Sequence, residues 1–306
     1  MRLSPWGLSL ALVAATLAAR SAPAGSIQYL KPFGSSLGIA YGIDGKNVVG
    51  EDAAHRAFLY DGSTYKLIPS PSGGAWTPRG ISGDRIVGNW GNIALLYENG
   101  NFTTINHPLA AYGTRVYGID GDRIVGYYND DTKVSHGFLF DGNSYSTINY
   151  PLSTRTIAYG VSGNNVVGEY YDTKGDYHGF LFDGATYTTL DDPLFMGAGS
   201  TIANGIDGDN IVGYTSANAG QLIASFIYDG STYTHPFDVQ APISESHYFY
   251  GISGNRIVGY YQEAPGHLER PFIYTIPEPA SALLALCAAL ALPLVRWRSH
   301  SRGSPA

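Results

Sequence analysis

The sequence predicts an all-β fold: a six-bladed β-propeller of four-stranded blades closed by the N-terminal strand, flanked by a signal peptide and a C-terminal hydrophobic helix. Three observations predict it. One ten-residue phrase recurs six times at a period near 40 residues. A second strand-rich phrase follows it in most recurrences. The array also opens on the last strand of a unit and stops on the third, so its two ends complete one another.

In chain order, residues 1–24 read as a secretory signal peptide. Arg2 supplies the positive start, Leu8–Ala19 the short apolar core, and Ala22 and Ala24 the small residues at −3 and −1 of a cut before Gly25. The mature chain then opens with Ser26–Phe33 (SIQYLKPF), which resembles the last strand of a unit and its proline, as in TTLDDPLF at 188–195.

The recurring phrase is YGIDGKNVVG at 41–50, RGISGDRIVG at 79–88, YGIDGDRIVG at 117–126, YGVSGNNVVG at 159–168, NGIDGDNIVG at 204–213 and YGISGNRIVG at 250–259. The first glycines are 38, 38, 42, 45 and 46 residues apart. The second phrase is AFLYDGSTYKLI, GFLFDGNSYSTI, GFLFDGATYTTL or SFIYDGSTYTHP, looser as ALLYENGNFTTI in the second unit and cut to PFIYTI in the sixth. Each unit reads as four strands, a to d, with Asp-Gly or Asn-Gly turns suited to hairpins. In strand b two apolar residues stand side by side, as in Ile124-Val125, so both faces of that strand are expected to be buried. Strand d alternates with Ser and Thr, as an outer strand should. The expected blades lie near 37–71, 75–109, 112–152, 154–195, 200–240, and 246–276 plus 26–33. An open solenoid would need capping at both ends and leaves the orphan strand unexplained.

Composition narrows the function. Charged residues make up 14% of the chain, while Gly (39) and Tyr (24) are abundant. Five of the 18 Lys/Arg lie in the end segments, which leaves 13 against 25 Asp/Glu in between, a balance of −12. So acidic a body lacks the Lys/Arg clusters that nucleic acid or an anionic bilayer requires. The one cysteine, Cys287, sits in the apolar tail, so the repeat domain holds no disulfide or cysteine-based site. No cofactor is implied.

The tail begins with Pro277-Glu278-Pro279, continues through sixteen uncharged residues at 280–295, and ends on Arg296, Arg298 and Arg302. Such a run spans about 24 Å as a helix, short of the roughly 30 Å hydrocarbon core, so it is at most a transient transmembrane anchor. These three features, in this order, resemble a PEP-CTERM sorting signal at 277–306. The leader at 1–24 implies cleavage by signal peptidase during export, and the resemblance implies handling by exosortase in a Gram-negative bacterium and a cell-surface or extracellular destination often shared with exopolysaccharide. The repeats themselves, with His55-Arg56-Ala57-Phe58, His136-Gly137-Phe138 and His178-Gly179-Phe180, are similar to the HAF-type extracellular repeat, though the tripeptide is not intact.

Candidate sites follow from repeat positions. The residue two after the strand b glycine is Asp52, Trp90, Tyr128, Tyr170, Thr215 or Tyr261. Trp90, Tyr128, Tyr170 and Tyr261 are therefore the candidate aromatic platform for sugar rings, against the alternative of inter-blade packing. Glu51 and Glu169, one residue earlier, are the carboxylates a polysaccharide-degrading enzyme would need, but they fall in opposite blades. His55, His136 and His178 start strand c, where a structural role is expected. The turn residues Asp44, Ser82, Asp120, Ser162, Asp207 and Ser253 alternate strictly and are expected to cap turns rather than hold a cation. Asn129-Asp130-Asp131 and Asp172 to Asp176 lack known Ca²⁺-loop spacings. The expectation is a non-enzymatic surface or matrix protein that binds polysaccharide or a surface partner.

Overall fold

The computed structural model describes residues 25–195, 199–217, 222–237, 246–263 and 268–277. The leader with Ala22 and Ala24, and the tail from Glu278 through Pro279, Arg296 and Arg298, lie outside the described residues; Pro277 is the last one described. Ile27–Tyr274 form one compact unit.

Twenty-four strands make six four-stranded sheets among the described residues. Blade 1 is β2 (Gly38–Asp44), β3 (Asn47–Asp52), β4 (Ala57–Tyr60) and β5 (Tyr65–Leu67). Blade 2 is β6 (Thr77–Ser82), β7 (Arg85–Trp90), β8 (Ile93–Glu98) and β9 (Asn101–Ile105). Blade 3 is β10 (Thr114–Asp120), β11 (Arg123–Asn129), β12 (Ser135–Phe140) and β13 (Tyr145–Ile148). Blade 4 is β14 (Arg155–Ser162), β15 (Asn165–Tyr171), β16 (Tyr177–Phe182) and β17 (Tyr187–Leu190). Blade 5 is β18 (Gly199–Asp207), β19 (Asn210–Ala217), β20 (Leu222–Tyr228) and β21 (Tyr233–Thr234). Blade 6 joins β22 (His247–Ser253), β23 (Arg256–Glu263) and β24 (Leu268–Thr275) to β1 (Ser26–Tyr29), in the order β1-β24-β23-β22. The orphan strand thus completes the last sheet, and the ring has no open end.

Leu30 locks that closure. Its amide donates to the Pro271 carbonyl at 2.8 Å. Its side chain, 1% exposed, sits in one apolar cluster with Val48 and Phe58 of blade 1 and Val258 and Ile273 of blade 6. The next residue also ties across the seam: the Lys31 amide donates to the Tyr65 hydroxyl at 2.9 Å.

The cores lie between blades, which explains the paired apolar residues of strand b. Ile124 packs in a cluster with Val87 and Ala94 of blade 2, while its neighbour Val125 packs with Ala158, Val161 and Val166 of blade 4. Val48 and Val49 divide between two seams in the same way, as do Val166 and Val167. Alternation within one strand therefore feeds two different cores. Phe58, Phe138, Phe180, Phe226 and Phe272 fill the third strand of five blades and are fully buried.

At the turn between the first two strands, the alternating Asp and Ser reach across to the next blade. Each side chain accepts from the turn-glycine amide of the next blade: Gly83 to Asp44 at 2.6 Å, Gly121 to Ser82 at 3.0 Å, Gly163 to Asp120 at 2.7 Å, Gly208 to Ser162 at 3.1 Å, Gly254 to Asp207 at 2.5 Å, and Gly45 to Ser253 at 3.0 Å. The six bonds run once around the axis and return to blade 1. The side-chain oxygens thus cap turns as expected, but the turn each one serves belongs to the neighbouring blade. The hairpin carboxylates that do cap locally are Asp61, Asp141, Asp183 and Asp229, each accepting from the amides two and three residues on.

Candidate functional site

The inner strands carry the site. The first glycine of each phrase lies where neighbouring inner strands come closest. A Cβ at Gly118 would stand 2.6 Å from the Tyr159 carbonyl oxygen, and one at Gly205 would stand 2.7 Å from that of Tyr250. Only a glycine fits there, and a β-bulge falls beside it in every blade, as between Val116 and Gly118. The residue just before it is Tyr41, Arg79, Tyr117, Tyr159, Asn204 or Tyr250, one per blade. These six residues meet around the axis.

There they enclose a chamber of about 200 Å³, with Ile202 and Tyr214 completing the wall. A narrower space of about 70 Å³ continues toward the turns, lined by the same six residues and the Gly-Ile or Gly-Val pairs that follow them. The tyrosines form a connected aromatic wall. Tyr117 meets Tyr159 edge-to-face at 4.9 Å, and Tyr41 meets Tyr250 at 5.4 Å. The wall continues outward to Tyr127 behind Tyr117, and through Tyr260 and Tyr248 to Tyr214.

Arg79 is the odd member. Its guanidinium carbon lies 4.1 Å from the Tyr41 ring centroid and 5.6 Å from that of Tyr117, so the cation bridges the two halves of the wall. It forms no ion pair with a described residue, and its buried Nε has no hydrogen-bond partner. Asn204 is used by the scaffold, its amide donating to the Phe249 carbonyl at 2.8 Å.

Burial pushes the phenols up: Tyr117 is raised, and Tyr250 is pushed to about 12 despite the opposing charge of Arg79. They stay neutral donors throughout the physiological range. Tyr41 donates to Glu51 at 3.3 Å, and Glu169, beside Tyr159, adds to the burial that raises that phenol. Glu169 is 6% exposed, and burial raises its carboxyl against the pull of Arg155, 3.6 Å away. Burial, and then the charge of Glu51, also raise Glu269. Glu51 and Glu169 therefore occupy opposite blades, 1 and 4, each beside the inner-strand tyrosine of its own blade.

The sequence-derived aromatic positions lie elsewhere. Tyr128 is 4% exposed and stacks on His107 at 3.8 Å; Tyr170 is 8% exposed and stacks on Tyr150 at 3.7 Å. Trp90 is half-buried against the blade 1–2 cluster, and Tyr261 packs against Tyr29 and His247. At the same position, Asp52 accepts from the Ala54 and Arg56 amides and from the Arg56 guanidinium. All five contribute to packing or turn closure, and the two buried tyrosines leave little ring surface for a ligand.

The loop carboxylates are likewise engaged. Asp130 accepts from the Thr132 and Val134 amides and pairs with His136 at 2.9 Å; Asp172 accepts from the Lys174 and Asp176 amides and lies 3.7 Å from His178. His55, 72% exposed, stands 3.6 Å from Glu51. Among the described residues, no group of three His, Cys, Asp or Glu is arranged to hold a metal.

Sequence reasoning passed over the chamber. The signal was present in the six aligned phrases, as the variable residue before an unvarying glycine.

The fold and this axial chamber define a six-bladed β-propeller. No protein-family model matches the chain, and no curated protein matches it. Solved structures do. A putative TolB from Agrobacterium tumefaciens is 13% identical over 79% of this chain and 90% of its own, with a TM-score of 0.51. The six-bladed fungal lectin from Aleuria aurantia, described with a fucose recognition mode, is 12% identical over 82% of this chain and 98% of its own, with a TM-score of 0.44. YCF48 from Cyanidioschyzon merolae is 9% identical over 84% and 100%, also with a TM-score of 0.44. At such identities the likeness is one of fold.

Proposed function

We propose that the chain is an exported, non-enzymatic binding propeller that engages polysaccharide or another surface component through its axial chamber. One observation carries this reading: six inner strands converge a tyrosine wall and a single cation on one chamber, while Glu51 and Glu169 belong to opposite blades. Aromatic faces with phenolic hydroxyls suit sugar rings, which present apolar C–H faces and polar edges. Export and cell-surface delivery are supported by the leader at 1–24 and by the Pro-Glu-Pro, apolar and arginine order at 277–306, with signal peptidase and exosortase as the processing partners.

A glycan array and a pull-down with the producing cell's own exopolysaccharide test the binding. Retention by the native protein and loss in Tyr117→Ala, with the fold intact by circular dichroism, is the expected result. Equal retention by both proteins would remove the chamber from the account. The intact mass of the surface form tests processing: it should lack Met1–Ala24 and the segment containing Cys287 and Arg296, and a full-length mass would end the export reading.

A further inference from the structure

We propose that the axial chamber selects an acidic sugar, a terminal uronic acid whose carboxylate is held by Arg79 while its ring lies against the tyrosine wall. The inference rests on the chamber being the binding site and specifies what enters it.

Three observations carry it. First, Arg79 breaks the chemical pattern of the wall. The corresponding residue is tyrosine in four blades and asparagine in one, so ring closure and packing at this position do not require a cation. Second, the guanidinium has aromatic neighbours but no carboxylate within ion-pair distance among the described residues. It lies over Tyr41 and near Tyr117, forms no ion pair with a described residue, and keeps a buried Nε without a hydrogen-bond partner. Arg85 and Arg155 also bury an Nε without a hydrogen-bond partner, but their terminal nitrogens, like those of Arg123 and Arg256, reach an oxygen: Arg85 pairs with Asp122 at 2.7 Å, Arg155 lies 3.6 Å from Glu169, Arg123 donates to Asn164 at 2.9 Å, and Arg256 donates to the Gly45 carbonyl at 2.7 Å. An arginine fork left open in a partly desolvated site matches a planar carboxylate, which takes two parallel N–H donors.

Third, size and field limit the anion. A chamber of about 200 Å³ lies below the roughly 300–1,000 Å³ of drug-sized pockets, so it admits one terminal ring rather than a length of chain. Glu51 accepts from the Tyr41 hydroxyl, Glu169 lies beside Tyr159, and Glu269 is close enough to Glu51 for their charges to interact. That acidic backing opposes a doubly charged phosphate more than a singly charged carboxylate.

The test uses the full repeat domain and matched probes: oligosaccharides ending in glucuronic or galacturonic acid, and the same oligosaccharides with the terminal carboxyl reduced to the alcohol. Binding is measured by calorimetry at about 50 and 200 mM salt. The native protein should bind at least one uronate probe ten-fold or more tighter than its reduced counterpart. Arg79→Gln should erase that preference, and Arg79→Lys should restore part of it. Thermal melts of both variants, within a few degrees of the native protein, establish that the ring is intact.

Equal affinity for acid and reduced probes, or an unchanged preference in Arg79→Gln, overturns the inference. If reduced sugars bind and Tyr117→Ala abolishes that binding, the chamber reading stands and only the acidic selectivity fails. If neither probe set binds and the exopolysaccharide pull-down is also independent of Tyr117, both fail together.

Discussion

Leu30 is the residue on which closure of the ring can be measured. It is 1% exposed and joins β1 to the cluster that seals blade 6 against blade 1. Truncating a buried leucine to alanine costs about 2–5 kcal/mol, the lost transfer energy plus the cavity left behind. The upper half of that range is expected here, because the backbone on both sides is pinned, by the Leu30 amide to Pro271 and the Lys31 amide to Tyr65, and cannot collapse inward. For a domain of this size each kcal/mol moves Tm by about 2–4 °C, so Leu30→Ala should lower Tm by roughly 7–20 °C. Leu67→Ala is the control. Leu67 sits on an outermost strand, 53% exposed, and its truncation should fall within about 0.5 kcal/mol of the native protein. Differential scanning calorimetry of the two variants decides the matter. If Leu30→Ala melts no lower than Leu67→Ala, the N-terminal strand does not close the ring.

The Asp and Ser belt around the axis gives a second expectation. Asp44→Ala, Asp120→Ala and Asp207→Ala combined remove three of the six inter-blade bonds, at about 0.5–1.5 kcal/mol each, and should lower Tm measurably, whereas Asp→Ser at the same three positions should retain most of the stability because Ser already does this in the other blades. Gly118→Ala places a methyl 2.6 Å from the Tyr159 carbonyl and should destabilise by about 1–3 kcal/mol in chemical denaturation. Burial lowers His247 from 6.5 to about 4, and its ring stacks on Phe237 at 3.7 Å. The neutral form is therefore the folded one: its contribution is complete above pH 6.5 and is lost as pH falls toward 4. Tm should decline across that window in the native protein and decline less in His247→Phe. The hairpin carboxylates Asp61 and Asp229 are lowered by hydrogen bonds from the residues that follow them, so their contribution is full above about pH 4 and disappears only below it. Loss of stability at pH 5 that persists in His247→Phe would point to other groups.

Much of this architecture is legible before any coordinates. The six Gly-anchored phrases mark the inner hairpins, and Ser26–Phe33 shows its place because it resembles the end of an internal unit. The adjacent pairs such as Ile124-Val125 say that strand b has no solvent face. The site is harder to read. Tyr128 and Tyr170 stand out by their regular spacing, but spacing alone does not tell a ring exposed at a rim from one stacked between blades; that depends on His107 and Tyr150, which come from the preceding unit and lie 20 or more residues away. The wall residues precede the glycine at which the strand bulges, and the bulge decides which side of the strand faces the axis. A strict two-residue alternation does not foresee it. The link from Asp44 to Gly83 was hidden for a related reason, since a carboxylate beside its own turn gives no sign that its acceptor is spent on the turn 39 residues on.

Because Ile124 and Val125 serve separate seams, no sheet owns the apolar surface that stabilises it. A blade taken alone would expose both of its faces, and damage to any seam weakens two sheets at once. Melting should therefore be a single cooperative event spread over the full circle, unlike a linear array of repeats, which frays unit by unit from its tips.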